Sequence, residues 1–548
     1  MSKFKAMEQI DKLIDKKWLV LIFFTFLVFL CHGNSLFNDF VWDDHQIVEV
    51  DSNVPLGFSK IIELFEEPDV VYPGTYNPFY RPITRLSFVV DANLFGLNPV
   101  WFHFVNLVIH LFNMLLLFYV LKRVFDVKIA FLTSVSFGIH PINCETLNLI
   151  AARNNLLAML FVLLCLFFLL KWDDDKKLKF FIFSILSFSL GLFCKETALM
   201  VLPFILIGAW FFPGELGRRF RFGWQGYAGF FVAVGVYLWF RTQALSGGTL
   251  GVGLDFGGIV ERVGQNFYII PKYLQLILLP YGLSGYYEIP SDVYALLPLY
   301  AFWAVIVLLS SWRIMRRDVV FLFGLVWFIV NLLPVSQIVP LGGASMADRY
   351  MYIPAIGFFV AIGSVFARNS GTIVSNKVIL GVYSLLIIGW GVSSINQNRV
   401  WADDFSLFQN MVKVDPTSVF GNTSLAQLYL NKGDVDSAKK HWEIALDKDP
   451  YHSAGNNQLG NIYYSMGDYS KAKTHYLNAL KIKNNSRAHF NLGQIYETLG
   501  ENEKAVYHYR EFLKNFPADL EYLIPKTKLK VLRLELSEQR NILMPIPE

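Results

Sequence analysis

Asn38-Asp39-Phe40-Val41-Trp42-Asp43-Asp44-His45-Gln46-Ile47 follows directly on an apolar run, Trp18 to Leu30. Lysines ahead of that run (Lys3, Lys5, Lys12, Lys16 and Lys17), with no small-residue cleavage site after it, read as an uncleaved first membrane helix. The acidic residues then sit at a membrane surface among aromatic side chains. Desolvation there disfavours the charged carboxylate and makes an Asp a useful general base. The alternative is a solvated interfacial cap, and the remainder of the sequence weighs against it.

The chain has 548 residues, of which 54% are hydrophobic, 16% aromatic and 17% charged. Soluble domains carry about 25% charged residues, so this composition is that of a membrane protein. Its 50 Phe and 13 Trp suit lipid-facing helices and interfacial belts. A net charge of +4 without a basic tract or nucleic-acid motif makes nucleic acid an unexpected partner. Cys31, Cys165 and Cys194 lie in or beside apolar runs, and Cys144 lies just past one. With no CxxC pair, they read as small packing residues rather than as a metal site or a disulfide framework.

Cytoplasmic loops are enriched in Lys and Arg, which orients the apolar runs. The N-terminal lysines are cytoplasmic, and residues 34–100 form a long first extracytoplasmic loop. The second run, 101–121, returns to Lys122, Arg123 and Lys128, and the third ends at His140. The fourth, 155–170, reaches Lys171, Lys176, Lys177 and Lys179, and the fifth ends at Phe193. The sixth, 199–212, lands on Arg218, Arg219 and Arg221. After the seventh, 224–240, the alternation survives if 258–281 is a re-entrant or surface-lying segment. Pro271, Pro280 and the Gly-rich stretch 247–258 fit an interrupted helix there. Runs at 293–312, 319–339, 350–367 and 377–394 bring the expected total to about eleven spans, several below the roughly 20 residues a crossing needs.

This topology gathers the polar motifs on the outer side. The first loop holds Asp43, Asp44 and Tyr80-Arg81-Pro82-Ile83-Thr84-Arg85. Other outer loops hold His140-Pro141 with Glu145 and Arg153, then Lys195-Glu196, then Asp348-Arg349-Tyr350. Each alone is explained by snorkelling or local pairing, but such anchors belong on both faces. A one-sided collection reads as a site at the outer interface.

From Asp415 the pattern changes to soluble helix. Leu425, Ala426, Tyr429, Gly433, Ala438, Trp442, Ala445 and Pro450 follow the tetratricopeptide pattern. Leu459, Gly460, Tyr463, Gly467, Ala472, Tyr476 and Ala479 repeat it 34 residues later. Leu492, Gly493, Tyr496, Gly500, Ala505, Tyr509 and Pro517 repeat it after 33 more. Each repeat leaves an apolar face for its neighbour to cover, and a last helix at about 519–539 serves as the cap. Arrays of this kind present a concave peptide-binding face; the alternative is a spacer with no ligand.

In chain order, Trp42-Asp43-Asp44, Tyr80-Arg81-Pro82, His140-Pro141 with Glu145 and Arg153, and Cys194-Lys195-Glu196-Thr197 lead the pattern. Leu279-Pro280-Tyr281-Gly282-Leu283-Ser284 and Asp348-Arg349-Tyr350-Met351-Tyr352-Ile353-Pro354 follow, with the repeats behind. The whole resembles the GT-C superfamily of membrane glycosyltransferases, and most of all the transmembrane-and-tetratricopeptide (TMTC) O-mannosyltransferases and their bacterial relatives. The resemblance covers nearly the whole chain. It departs in two places: the family usually carries more than three repeats, and its Gly-Arg-Ala-Asp is here Ala152-Arg153-Asn154-Asn155.

The expected fold is all-α: a polytopic GT-C-type membrane bundle over 1–398, a linker at 399–416, three repeats over 417–517, and a capping helix and tail over 518–548. The resemblance implies an inverting enzyme that takes a sugar, a hexose such as mannose, from a polyprenyl-phosphate-linked donor in the outer leaflet. The acceptor is a protein Ser or Thr hydroxyl or a glycan, recruited by the repeats, and membrane lipid is the other partner. A carboxylate must take the hydroxyl proton as the new bond forms. Adjacent side chains diverge by about 100° on a helix and point opposite ways on a strand, so one of Asp43 and Asp44 reaches the reaction centre. In the related mannosyltransferases the first acid of such a pair is catalytic. That favours Asp43, with Asp44 orienting the acceptor or the loop.

The departing lipid phosphate gains charge, so fixed cations lower the barrier. Arg81, Arg85, Lys195 and Arg349 are the candidates, each with the alternative of a structural ion pair. His45, His140, Glu145, Arg153, Glu196, Asp348 and Tyr350 are candidate supports of the site. No compact Asp/Glu/His cluster suggests a metal and no cofactor is expected, although some oligosaccharide-transferring relatives use a divalent ion. Competing readings are a non-enzymatic membrane scaffold working through its repeats and en bloc transfer of an oligosaccharide. A lipid carrier ranks last, because the spans are nearly free of charge. Short loops and a compact repeat domain point to a bacterial inner membrane with a periplasmic site; in a eukaryote the site would face the endoplasmic reticulum lumen.

Overall fold

The computed structural model describes residues 16–50, 61–68, 79–245, 256–290, 300, 304, 313, 316, 318–338, 344–367, 373–481, 485–516 and 518–543. Pro517, most of the run at 293–312, most of the Gly-rich stretch and much of the first loop lie outside them. Among the described residues all regular structure is helical. The chain divides into two compact units, Met1–Leu407 and Phe408–Glu548. The division falls inside a helix, Asp404–Val414, within the range expected as a linker.

The first unit contains α1 (Lys17–His32), α2 (Pro82–Phe95), α3 (Pro99–Val124), α4 (Val127–Ile139), α5 (Arg153–Asp175) and α6 (Leu178–Cys194). It continues with α7 (Val201–Phe211), α8 (Trp224–Ala244), α9 (Phe256–Leu278), α10 (Val319–Leu332), α11 (Ala355–Ala367) and α12 (Ile373–Val400). Local signals set several of these boundaries. Pro82 and Pro99 open their helices where a missing N–H costs nothing. Asn98, Asp126 and Asp318 accept the first free N–H groups of α3, α4 and α10. α3 packs on α1, α4 and α5, α5 pairs with α6, and α10 pairs with α11.

Outward faces carry large exposed apolar side chains, such as Ile22, Phe26 and Leu30 on α1 and Val232, Val236 and Trp239 on α8. Water does not tolerate such extended stripes; lipid does. Three stretches, Lys17–Phe37, Pro99–Val124 and Ile150–Asp175, are long and apolar enough to cross a membrane. Val127–Ile139, Leu178–Cys194, Glu196–Phe211, Val319–Val335 and Ala355–Ala367 are apolar but shorter. Motif residues cut at least one of them. α4 stops at His140-Pro141, and Pro141–Ala152 follows as buried short turns rather than as exposed loop. Irregular backbone at that depth persists where side chains satisfy it: Asn143 donates to the Phe137 carbonyl at 2.7 Å and Asn148 to the Cys144 carbonyl at 2.8 Å. The stretch read as an interrupted helix is instead one helix, α9, running through Pro271. A proline removes a single N–H donor, and the buried Ile269, Tyr273, Leu274 and Ile277 hold the helix on either side of it.

The second unit repeats one device. Helix pairs α13/α14 (Val419–Asn431, Val435–Lys448), α15/α16 (Ser453–Ser465, Tyr469–Ala479) and α17/α18 (Ser486–Thr498, Asn502–Lys514) stack in order, and α19 (Ile524–Leu543) covers the last. Gly433, Gly467 and Gly500 end the first helix of each pair with φ of +81°, +80° and +75°. That left-handed turn suits glycine. Asp434 and Asp468 then cap the second helices of the first two pairs.

Candidate functional site

α1 ends in a 3-10 turn, Gly33–Phe37, and delivers the acidic motif to the bundle. Trp42 holds φ at +52°, a left-handed conformation that costs an ordinary residue roughly 1–2 kcal/mol. Its N–H donates to Asp404 Oδ1 at 2.8 Å, which ties the loop to the residues after α12. On either side of this turn the two carboxylates meet opposite fates. Asp44 is fully buried and accepts the N–H groups of Ala151 (2.7 Å), Ile150 (3.2 Å) and Val41 (3.3 Å). Burial pushes its carboxyl up to about 7 against the pull of those donors. The Asp43 carboxylate is half-buried and makes no hydrogen bond among the described residues. Burial raises its pKa while the charge of Arg349 pulls it down.

Arg349 anchors the other side. Its N–H donates to Glu145 Oε2 at 2.6 Å, its guanidinium pairs with Glu145 Oε1, and it reaches the Gly285 carbonyl at 3.3 Å. The guanidinium carbon lies 5.4 Å from the Trp42 ring centre and 5.2 Å from that of Tyr350. Lys195 approaches the Tyr350 ring at 5.8 Å and donates to Asn155 Oδ1 at 2.6 Å. Burial, then Arg81 and Arg349, lower the Lys195 ammonium to about 7 against Glu196 and Glu145. Arg81 forms a fork on Glu196, at 2.8 and 3.3 Å, and stacks on Phe79 at 4.1 Å. Despite burial, Arg81 holds the Glu196 carboxyl at about 2. Asp43, Trp42, Glu145, Arg349, Tyr350, Lys195, Arg81 and Glu196 thus form one charged cluster from five separate stretches of chain.

Asp348 supports that cluster from behind. It is buried, accepts the Ser284 N–H at 3.0 Å and the Tyr287 hydroxyl at 2.7 Å, and burial drives its carboxyl well upward. Other sequence candidates face elsewhere. Arg153 is buried against Asp91 at 2.6 Å, donates to Asn106 and Phe102, and lies between the Phe88 and Phe102 rings. It ties α5 to α2 and α3. His140 accepts the Ile142 N–H on Nδ1, which leaves the proton on Nε2 to donate to the Ile277 carbonyl at 2.8 Å. It seats α9 on α4. Arg85 is buried and donates to the Pro68 carbonyl at 3.2 Å. His45 bridges Glu49 (2.6 Å) and Asp404 (3.1 Å), and although burial works against it, these carboxylates raise its pKa.

Sequence reasoning passed over Asn155, Asp91, Tyr287 and Asp404. Asp404 had a readable signal: Trp401-Ala402-Asp403-Asp404 follows an apolar run as Trp42-Asp43-Asp44 does. Among the described residues, no group of three His, Cys, Asp or Glu side chains is placed to hold a metal ion.

In the repeats, a cavity of about 410 Å³ is lined by Asn457, Gln458, Asn461, Asn485, Arg487 and Asn491 with apolar neighbours. Its carboxamides are linked: Asn491 donates to Asn457 (3.2 Å) and Asn461 (2.9 Å), Asn461 to Gln458 (3.0 Å), and Gln458 to Gln427 (2.9 Å).

Residues 86–240 match the family described as dolichyl-phosphate-mannose-protein mannosyltransferase. Residues 423–472, 460–500 and 487–519 match tetratricopeptide repeat families. The chain is 24% identical over 454 residues to the protein O-mannosyl-transferase F38B6.6 of Caenorhabditis elegans, covering 79% of this chain and 62% of that one. It is 26% identical over 493 residues to the protein O-mannosyl-transferase TMTC1 of Homo sapiens, covering 77% of this chain and 54% of the relative. This chain therefore spans less than two thirds of these curated relatives. An oligosaccharyltransferase of Archaeoglobus fulgidus superposes with a TM-score of 0.40 at 14% identity, over 70% of this chain and 55% of that one, a likeness too slight to build on.

Proposed function

We propose that this chain, a TMTC-like GT-C protein, is an integral-membrane glycosyltransferase whose base is Asp43. It would move a hexose such as mannose from a polyprenyl-phosphate donor to the hydroxyl of a protein or glycan, with inversion, on the outer side of a bundle of about eleven spans. The observation that carries the reading is the split within the acidic pair: Asp44 spends its carboxylate on three backbone N–H groups, and Asp43, among the described residues, keeps its own unspent beside Arg349.

The chemistry follows from that split. The acceptor hydroxyl gives its proton to Asp43 as its oxygen bonds to the anomeric carbon. The bond from that carbon to the donor phosphate breaks, and the phosphate leaves with the electron pair. Lys195 and Arg349, with Arg81 behind them, offer positive charge where the phosphate charge grows. Glu145 and Glu196 hold the two arginines in place through paired hydrogen bonds. The linked carboxamides of the repeats can donate to and accept from an extended chain, which suits an acceptor polypeptide. The site would face the periplasm in a bacterium and the endoplasmic reticulum lumen in a eukaryote.

The test is transfer of radiolabelled sugar from a polyprenyl-phosphate donor by the purified full chain, with Asp43→Asn and Asp44→Asn compared. Label on acceptor that vanishes in Asp43→Asn supports the reading. Equal label in wild type and both variants overturns it and leaves the repeats as the working part of a scaffold.

A further inference from the structure

The end of the bundle away from Asp43 holds a second concavity of a different character. A cavity of about 600 Å³ lies among α1, α3 and α5, lined by Lys17, Tyr119, Lys122, Arg123, Phe167 and Lys171 with two further apolar residues. These three helices belong to the stretches long enough to cross a membrane. Their opposite ends lead into Asn38–Asp44, Pro99–Phe102 and Ile150–Arg153, beside the acidic motif. α3 is 26 residues long, about 39 Å at 1.5 Å per residue. The two sites are therefore a bilayer apart, and the cavity sits at the depth of lipid headgroups.

Among the described residues, two of its cations have no carboxylate to offset them. Arg123 pairs with Asp174 and lies 5.2 Å from the Phe167 ring, but Arg219 shares Asp174 at 3.1 Å. The neighbouring Asp173 is engaged by Lys176 and Arg218, and Asp126 caps α4 through the N–H groups of Lys128 and Ile129. Among the described residues, neither Lys17 nor Lys171 has a carboxylate partner; Lys171 rests over the Phe180 ring at 4.4 Å. Lysines that merely mark a cytoplasmic end fan outward to water. Here cations from three helices converge on one hollow floored by aromatic and apolar side chains, which pairs a phosphate with the first stretch of an acyl chain.

We propose that this cavity binds the headgroup of an anionic phospholipid, its phosphate held by Lys17, Lys122 and Lys171. The site is independent of sugar transfer. It gives the enzyme a fixed lipid at the face opposite its chemistry, clamping the three spanning helices together.

The full chain in nanodiscs of mixed phosphatidylglycerol and phosphatidylcholine tests this, with native mass spectrometry reading the lipid retained. Wild type is expected to retain phosphatidylglycerol. Lys17→Gln/Lys122→Gln/Lys171→Gln should weaken retention about a hundred-fold, from about 1 kcal/mol per lysine near an anionic surface. The charge-conserving Lys→Arg triple should keep it, which separates loss of the site from loss of the fold. A control triple at Lys128, Lys177 and Lys179, outside the cavity, should also keep it. Equal retention by wild type and the cavity triple overturns the proposal. So does equal loss in the control triple, which would make the effect general surface charge. Displacement of the lipid by soluble glycerol phosphate at equal concentration would overturn the lipid as the source of the phosphate.

Discussion

The two units use charge in opposite ways. In the interior of the membrane unit, ionic groups are buried and joined across long stretches of sequence, as Arg153 with Asp91 and Arg349 with Glu145. In the repeat unit the ion pairs lie near the surface, many only three or four residues apart, as Lys471 with Asp468 and Lys504 with Glu501. The core there is Ala, Leu, Ile, Val, Phe and Tyr, with Trp442. Burial removes water that would otherwise compete, so each buried charge must be paired, bonded or reserved for a ligand. The same logic isolates Asp43, whose carboxylate alone of the acidic pair is left unbonded among the described residues.

The largest effect should fall on that residue. Asp43→Asn removes the proposed base, and transfer should drop by about 10²–10⁴-fold with little change in thermal unfolding. Asp44→Asn should act the other way round: it replaces one acceptor oxygen by an amide facing a backbone N–H, and the melting temperature should fall. The pH profile carries a sign that can be checked. Asp43 must be ionised to act, and burial raises its pKa above that of an ordinary Asp, against the pull of Arg349. Activity should therefore be lost on acidification at a higher pH than an exposed Asp would give. Lys195 must be protonated to meet a phosphate, and its value of about 7 places a loss of activity above neutrality. Transfer kinetics from pH 5 to 9 should show both limbs, and Lys195→Arg should move the alkaline limb upward.

Next comes the buried pair of Arg153, read from the sequence as a support of the site, and Asp91. Arg153→Met leaves Asp91 buried without its partner, and breaking such a pair costs about 3–5 kcal/mol. Thermal unfolding in detergent should show a large drop, partly restored in Arg153→Met/Asp91→Leu. An Arg153 variant that kept its stability and lost only transfer would place this residue with the site and break the comparison.

Legibility in the sequence follows the same divide. In the repeats each contact is local, so periodic Gly, Ala and Tyr positions expose the fold directly, and Gly433, Gly467 and Gly500 sit at the turns between paired helices. In the membrane unit, composition and Lys/Arg asymmetry reveal the apolar character of the helices. Motif order reveals Asp43, Glu145, Lys195, Glu196 and Arg349, which meet in space. The same signals cannot separate Arg153 from Arg349. Both are arginines beside apolar runs, and what distinguishes them is the partner each finds across the bundle: Asp91 for one, Glu145 beside the acidic motif for the other. Asn155 carries no charge to announce it, yet it holds Lys195. Pro271 misled for a related reason. Proline argues against a helix locally, and tertiary packing of Tyr273 and Ile277 overrode it.

In the repeats, shape should matter more than charge. A Cβ at Gly460 would lie 2.4 Å from the Tyr476 ring, and one at Gly493 would lie 2.6 Å from that of Tyr509. Gly493→Ala should cost about 1–3 kcal/mol by overpacking. Limited proteolysis should show the repeat unit loosening while the membrane unit stays resistant. A neutral outcome would mean that the helix pairs can separate freely, and that the array is softer than its buried tyrosines imply.

The smallest effect should come from a surface pair in the same unit. Lys530 Nζ lies 2.5 Å from Glu497 Oε2, with the side chains 24% and 22% exposed. Water screens such a pair, and ordering a long lysine chain offsets part of the attraction, so Lys530→Met should cost less than about 1 kcal/mol. Glu497 would still accept the Tyr509 hydroxyl at 2.7 Å, so no polar group is stranded. The difference between wild type and variant should shrink further in 1 M salt. A cost rivalling that of Arg153→Met would mean that this surface is not in water at all. Another molecule would then cover α17 to α19, and the contrast between a dry membrane unit and a wet repeat unit would have to give way to two dry ones.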